Sequence, residues 1–147
     1  MEFNSVIHHR KSIRLKNYDY SQAGLYFITV CIEGRHCLFG HILNDSMILN
    51  DVGKMISSQW NELDNRFLSI ALHEYVVMPN HFHGIIEFVG DVGAIPCGCP
   101  SPRNPDPTIG DVVGAFKSLS TNEYIQNVKQ NNWQPFAGKL WQRNYYE

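Results

Sequence analysis

Two imidazoles stand in a run that otherwise reads as buried strand: "VVMPNHFHGIIEF", residues 76–88, places His81 and His83 one residue apart. Side chains alternate across a β-strand, so residues two apart share a face. His81 and His83 then stand side by side, roughly 6.5 Å apart along the backbone. Phe82 points the other way and can serve the core. A strand that offers two ligands to one divalent ion needs this spacing; a helix would need three or four residues. The same spacing also suits two ordinary surface histidines, so the pair alone leaves both readings open. His36, His41 and His73 lack such a partner and read as surface or strand residues. Glu87 lies on the face of the histidine pair but four residues past His83, roughly 13 Å at strand rise, too far for the same ion.

The elements that must position this pair follow from hydrophobic periodicity. "GLYFITVCIEGR" is rich in β-branched and aromatic residues between Gly24 and Gly34 and predicts a strand over 25–32. "HCLFGHILNDSMIL" has apolar runs on both sides of Asn44-Asp45, the signal of a small accessory hairpin. In "NDVGKMISSQWNELDNRF", Val52, Ile56, Trp60, Leu63 and Phe67 recur on one helical face, and Asn50 or Asp51 can cap its start. This predicts a helix over 51–66. "ALHEYVVMPNHFHGIIEFV" divides at Pro79-Asn80, since proline lacks a backbone donor, into a hairpin with strands near 72–78 and 82–89.

A second helix opens at Thr108, with Asp111 three residues on as in a capping box, and carries Ile109, Val112, Val113, Phe116 and Leu119 on one face. Tyr124, further along it, reads as a packing residue. "KLWQRNYYE" predicts a final strand. Most of the seven prolines fall in "GDVGAIPCGCPSPRNPDP", which reads as a mobile loop inserted at 90–107. The order strand–(hairpin)–helix–strand–strand–helix–strand is the split βαβ, ferredoxin-like pattern: an α+β fold with an antiparallel sheet and its helices on one face. In it the histidine strand lies inside the sheet.

The chain has 147 residues, 44% of them hydrophobic and 18% charged, which suits one globular domain over 1–147. No apolar run reaches membrane-spanning length and the first residues lack a secretory pattern, so a cytoplasmic protein is expected. The cysteines Cys31, Cys37, Cys97 and Cys99 are then expected to be reduced, and "CGC" is spaced too tightly for a structural zinc pair. The net charge of −2 does not mark a nucleic-acid binder. Basic residues nevertheless cluster at Arg10, Lys11, Arg14 and Lys16, either a solvated arm or a phosphate-contacting patch.

The histidine block closely resembles the His-hydrophobic-His signature of HUH-type single-tyrosine transposases. Three further blocks, "RKSIRLKNYDYSQAGLYFITVCIEGRHCLFG", "GAFKSLST" and "LWQRNYYE", resemble the branch associated with repetitive extragenic palindromes, in the same order. The resemblance runs from about residue 9 to the last residue. It implies a fold that binds a hairpin in single-stranded DNA and an activity that cleaves and joins DNA strands. It further implies that His81 and His83 are catalytic metal ligands for magnesium or manganese. Such an ion neutralises non-bridging oxygens and polarises the leaving group while a tyrosine attacks phosphorus. Two imidazoles suit manganese better than magnesium, which prefers oxygen.

The family's nucleophile sits on a helix after the "LWQRNYYE" strand, and no residue up to Glu147 matches it. The resemblance therefore places the catalytic tyrosine beyond Glu147. The expectation is a metal- and DNA-binding body without its catalytic helix, with Tyr145 and Tyr146 as substitute candidates. Arg10, Lys11, Arg14, Lys16, Lys117 and Arg143 are the cations expected to meet DNA phosphates, in a monomer or a homodimer. The alternative is a non-catalytic binder or regulator of palindromic repeats. A third reading, a hydrolytic nuclease, would need an acidic ligand beside the histidines.

Overall fold

A computed structural model describes residues 16–20, 22–90 and 107–147. The predicted insertion falls almost wholly in 91–106, outside the described residues, as do Arg10, Lys11, Arg14, Cys97 and Cys99. The elements are β1 (Gly24–Cys31), β2 (Gly40–Leu43), β3 (Ser46–Leu49), α1 (Asp51–Asn61), α2 (Leu63–Arg66), β4 (Ile70–Val77), β5 (His81–Phe88) and α3 (Ile109–Gln130).

The main sheet is antiparallel with the order β1-β5-β4, so the histidine strand is central, as the topology requires. Burial alternates along β5: Phe82, Gly84, Ile86 and Phe88 are buried, and the residues between them are half-exposed. Tyr26, Ile28 and Val30 continue the buried face on β1. Both long helices cover that face. Trp60 of α1 and Phe116 of α3 meet Phe82 with ring centroids 4.7 and 5.0 Å apart. The opposite face stays open. The architecture is therefore α+β with an antiparallel sheet and helices on one side.

Local signals explain the element boundaries. The Asn50 side chain caps α1 by accepting from the Gly53 amide at 2.9 Å. The predicted helix over 51–66 is two segments, α1 and α2, meeting at Glu62. Thr108 and Asp111 form the complete capping box of α3, which continues to Gln130. Asn44 and Asp45 both take positive φ, 49° and 60°, as a tight two-residue hairpin turn demands, and β2 pairs with β3 around them. At Gly84 the buried face of β5 has no room for a side chain: a Cβ there would lie 2.6 Å from Cζ2 of Trp60. Glycine thus lets the indole lie directly against the histidine strand.

The final strand departs from expectation. Residues after Leu140 make two isolated bridges to the β1 edge, Ile32 with Trp141 and Thr29 with Tyr146, and no ladder. The cause is Lys117. Its Nζ donates to the carbonyls of Gln142, Arg143 and Asn144 at 2.8, 3.2 and 3.2 Å. Those carbonyls turn toward α3, and the segment bulges between its two bridges. Trp141 Nε1, donating to buried Ser120 Oγ at 2.9 Å, fastens the same segment.

Burial pulls the Lys117 ammonium down to about 8, with Cys31 opposing. A lysine whose folded value is depressed holds fewer protons than the unfolded chain between about pH 8 and its ordinary value, so its contribution to stability grows as pH rises through that window. Urea titrations at pH 7.5 and 9.5 should show the stability difference between wild type and Lys117→Met increasing with pH. A difference independent of pH would contradict the burial argument.

Candidate functional site

His81 and His83 emerge on the open face of β5 with their ring centroids 4.7 Å apart and their planes at 80°. β1 supplies the neighbouring wall, because the register pairs Cys31 with His81 and Thr29 with His83. Residues directly opposite in an antiparallel pair share a face. Thr29, Cys31, His81 and His83 therefore line one open cleft of about 360 Å³, together with Arg35 and Asn80.

Each imidazole is oriented through the same nitrogen. His81 Nδ1 donates to Asn80 Oδ1 at 2.7 Å, and His83 Nδ1 lies 2.8 Å from Thr29 Oγ1. With Nδ1 engaged on both rings, Nε2 is the atom that faces outward, and the amide oxygen of Asn80 requires the proton of His81 on Nδ1, as metal-bound histidines generally have it. Burial, then the adjacent His83, lowers the pKa of His81. The neutral imidazole that a ligand requires is thus favoured.

Phe27 stacks on the His83 ring at 5.4 Å and 23°. The residues fit a divalent cation held by two nitrogens. Among the described residues no group of three or more His, Cys, Asp or Glu is arranged to hold a metal. Glu87 is engaged elsewhere, 2.7 Å from His73 Nε2 across the bulge in β4.

The structure separates the other residues singled out in the sequence. Lys16 and Arg143 are exposed. Lys117 is turned onto the backbone of 142–144, away from the role of a free surface cation. Tyr145 is buried at 9% exposure with the Lys117 ammonium 5.7 Å from its ring centroid. Tyr146, opposite Thr29, stands 53% exposed on the histidine face. Glu147, beyond which the family resemblance places the nucleophile, is exposed. A tyrosine beyond Glu147 falls outside the described residues. Tyr124 packs in the core and donates to the Gln134 carbonyl at 2.6 Å. Sequence reasoning missed Thr29, Cys31, Arg35 and Asn80. Thr29 and Cys31 alternate along the predicted first strand as the histidines do along theirs, which is the signal that could have found them.

Two solved structures share this fold. One is a protein of Deinococcus radiodurans R1 provisionally described as a transposase; its TM-score is 0.56, with 16% identity, over 92% of this chain and 83% of that one. The other is the REP-associated tyrosine transposase bound to a REP hairpin; its TM-score is 0.55, with 15% identity, over 91% of this chain and 60% of that one. The fold is thus one shared with a REP-associated tyrosine transposase, of the branch which the sequence blocks resemble. A protein of Haemophilus influenzae (strain ATCC 51907 / DSM 11121 / KW20 / Rd), itself uncharacterised, is 40% identical over 154 residues, covering 99% of this chain and 81% of that protein. The chain belongs to the family of that Haemophilus protein. No family model matches it. No helix among the described residues is long and apolar enough to cross a membrane.

Proposed function

We propose that this chain is the DNA-binding and metal-binding body of a REP-associated, HUH-type tyrosine transposase, acting on hairpin-forming single-stranded DNA in the cytoplasm. The observation that carries the proposal is the paired orientation of His81 and His83, each with Nδ1 engaged and both facing one open cleft. A divalent ion held there, manganese by preference over magnesium, would supply charge neutralisation at a phosphate.

The rest of the reading falls to the chain's own side chains. Thr29 and Asn80 orient the rings. The open face offers flat apolar surface to unpaired bases, with Phe27 and Leu25 56% and 65% exposed. Single-strand binding of this kind combines base stacking with phosphate contacts. A solved structure that shares this fold is bound to a REP hairpin.

None of the described residues lining the cleft is a tyrosine. Tyr145 lies in the core, and Tyr146 is separated from His83 by the width of β1, roughly 10 Å. On this reading the chain binds and orients the hairpin, and Tyr145 and Tyr146 do not attack it. A gel assay of a hairpin oligonucleotide with Mn²⁺ separates the readings. A shifted band without covalent product is expected, weakening steeply with salt. A protein-linked band at Tyr145 or Tyr146 would place the nucleophile in this chain, free fragments would indicate a hydrolytic nuclease, and no shift would overturn the proposal.

A further inference from the structure

Arg35 borders the histidine cleft in a conformation that its residue type does not favour. Its φ is 56°, in the left-handed region where a β-carbon crowds the backbone, and Gly34 before it has φ 71°. Glycine would suit this position better. Two contacts hold the arginine there. Its amide donates to the Ile32 carbonyl at 3.1 Å, and its carbonyl accepts from Asn80 Nδ2 at 3.3 Å. The other end of that same amide, Asn80 Oδ1, accepts from His81 Nδ1. One side chain thus ties the arginine turn to the histidine ring.

Arg35 lines the cleft with Thr29, Cys31, His81 and His83. Among the described residues, the ion pairs are Lys54 with Asp51 and His73 with Glu87, and neither involves Arg35. A strained backbone at an exposed arginine that borders two imidazoles has a chemical reason if its guanidinium is to hold an anion there. Arginine presents a planar fork of donors that matches phosphate oxygens two at a time.

We propose that Arg35 is a phosphate-binding residue of this cleft, gripping a phosphodiester of the same single strand that His81 and His83 face. Asn80 is the positioning residue that fixes the distance between the two functions. The proposal rests on the DNA-binding reading above, but it concerns binding without metal and so has its own readout.

The test is fluorescence anisotropy of a labelled hairpin oligonucleotide in EDTA, titrated at several salt concentrations. Arg35→Gly removes the guanidinium and relieves the left-handed strain, so it should fold with stability equal to or above wild type. Its affinity should fall about tenfold, and the slope of log affinity against log salt should shrink by about 0.7 to 0.9, one phosphate contact. Arg35→Lys should keep the slope and lose part of the affinity, since it retains charge without the fork. Lys54→Ala, on the far helix, should change neither. Wild-type affinity and slope in Arg35→Gly would overturn the assignment while leaving hairpin binding intact. A marked loss of stability in Arg35→Gly would assign the arginine to the fold and overturn it as well. Absence of hairpin binding by the wild type would overturn both this inference and the reading beneath it.

Discussion

Replacing His81 and His83 together by alanine should lower Mn²⁺ affinity by more than about 100-fold, because removal of a mere orienting partner already weakens metal sites by about 10- to 100-fold. Each single substitution should have nearly the effect of the double one. One imidazole cannot chelate, and residues that act as a unit are not additive. Both rings are half-exposed on the open face, and the apolar core lies on the other side of the sheet. The variants should therefore keep wild-type circular dichroism and urea midpoints. Free Mn²⁺ counted by electron paramagnetic resonance during a titration measures the affinity directly. Undiminished binding in the double variant would remove the histidines from the site.

The second large effect concerns stability. Trp60 is fully buried and touches three rings, with centroids 4.7 Å from Phe82, 5.5 Å from Phe116 and 6.2 Å from Tyr75. Its indole edge fills the space that Gly84 leaves empty beneath the histidine strand. Trp60→Ala removes that packing and opens a cavity where the surrounding β5 and α3 can collapse only in part. A loss of about 3–5 kcal/mol is expected, a large share of the roughly 5–15 kcal/mol typical of a domain. Trp60→Phe should cost distinctly less. It keeps an aromatic ring, and it deletes an indole N–H that has no hydrogen-bond partner among the described residues. Urea unfolding followed by circular dichroism measures both variants. Equal losses for Ala and Phe would show that the contact with Gly84 and Phe82 is not what the tryptophan contributes.

These two residues mark how far the sequence could be read. Trp60 was legible because Val52, Ile56, Trp60, Leu63 and Phe67 repeat at helical spacing, and the structure buries or half-buries all five. The central place of β5 followed from element order alone. The histidine pair was legible because a strand alternates, so two residues with the same chemistry at a spacing of two must share a face. The partners of that pair were not legible. Thr29 and Cys31 reach the cleft only through the register of β1 on β5, which joins residues 54 and 50 positions apart and leaves no local trace. Arg35 was hidden for a similar reason: a turn residue whose role depends on an amide side chain, that of Asn80, 45 positions away.

The misread final strand carries the same lesson from the other side. "KLWQRNYYE" has strand composition, and its neighbours on β1 accept it at two points. Lys117, 25 to 27 residues earlier, collects three successive carbonyls, which a regular strand would point to alternating sides. A single half-buried ammonium competes with the local β preference of the segment. The same contact turns away from solvent a lysine that, by position, looked available to DNA.

The most direct test of the account is anomalous diffraction from crystals grown with Mn²⁺. The account predicts one peak within about 2.5 Å of Nε2 on both His81 and His83, with Nδ1 of each ring still held by Asn80 and Thr29. A peak bound through Nδ1, a peak at His73 and Glu87 instead, or none at the pair would contradict it.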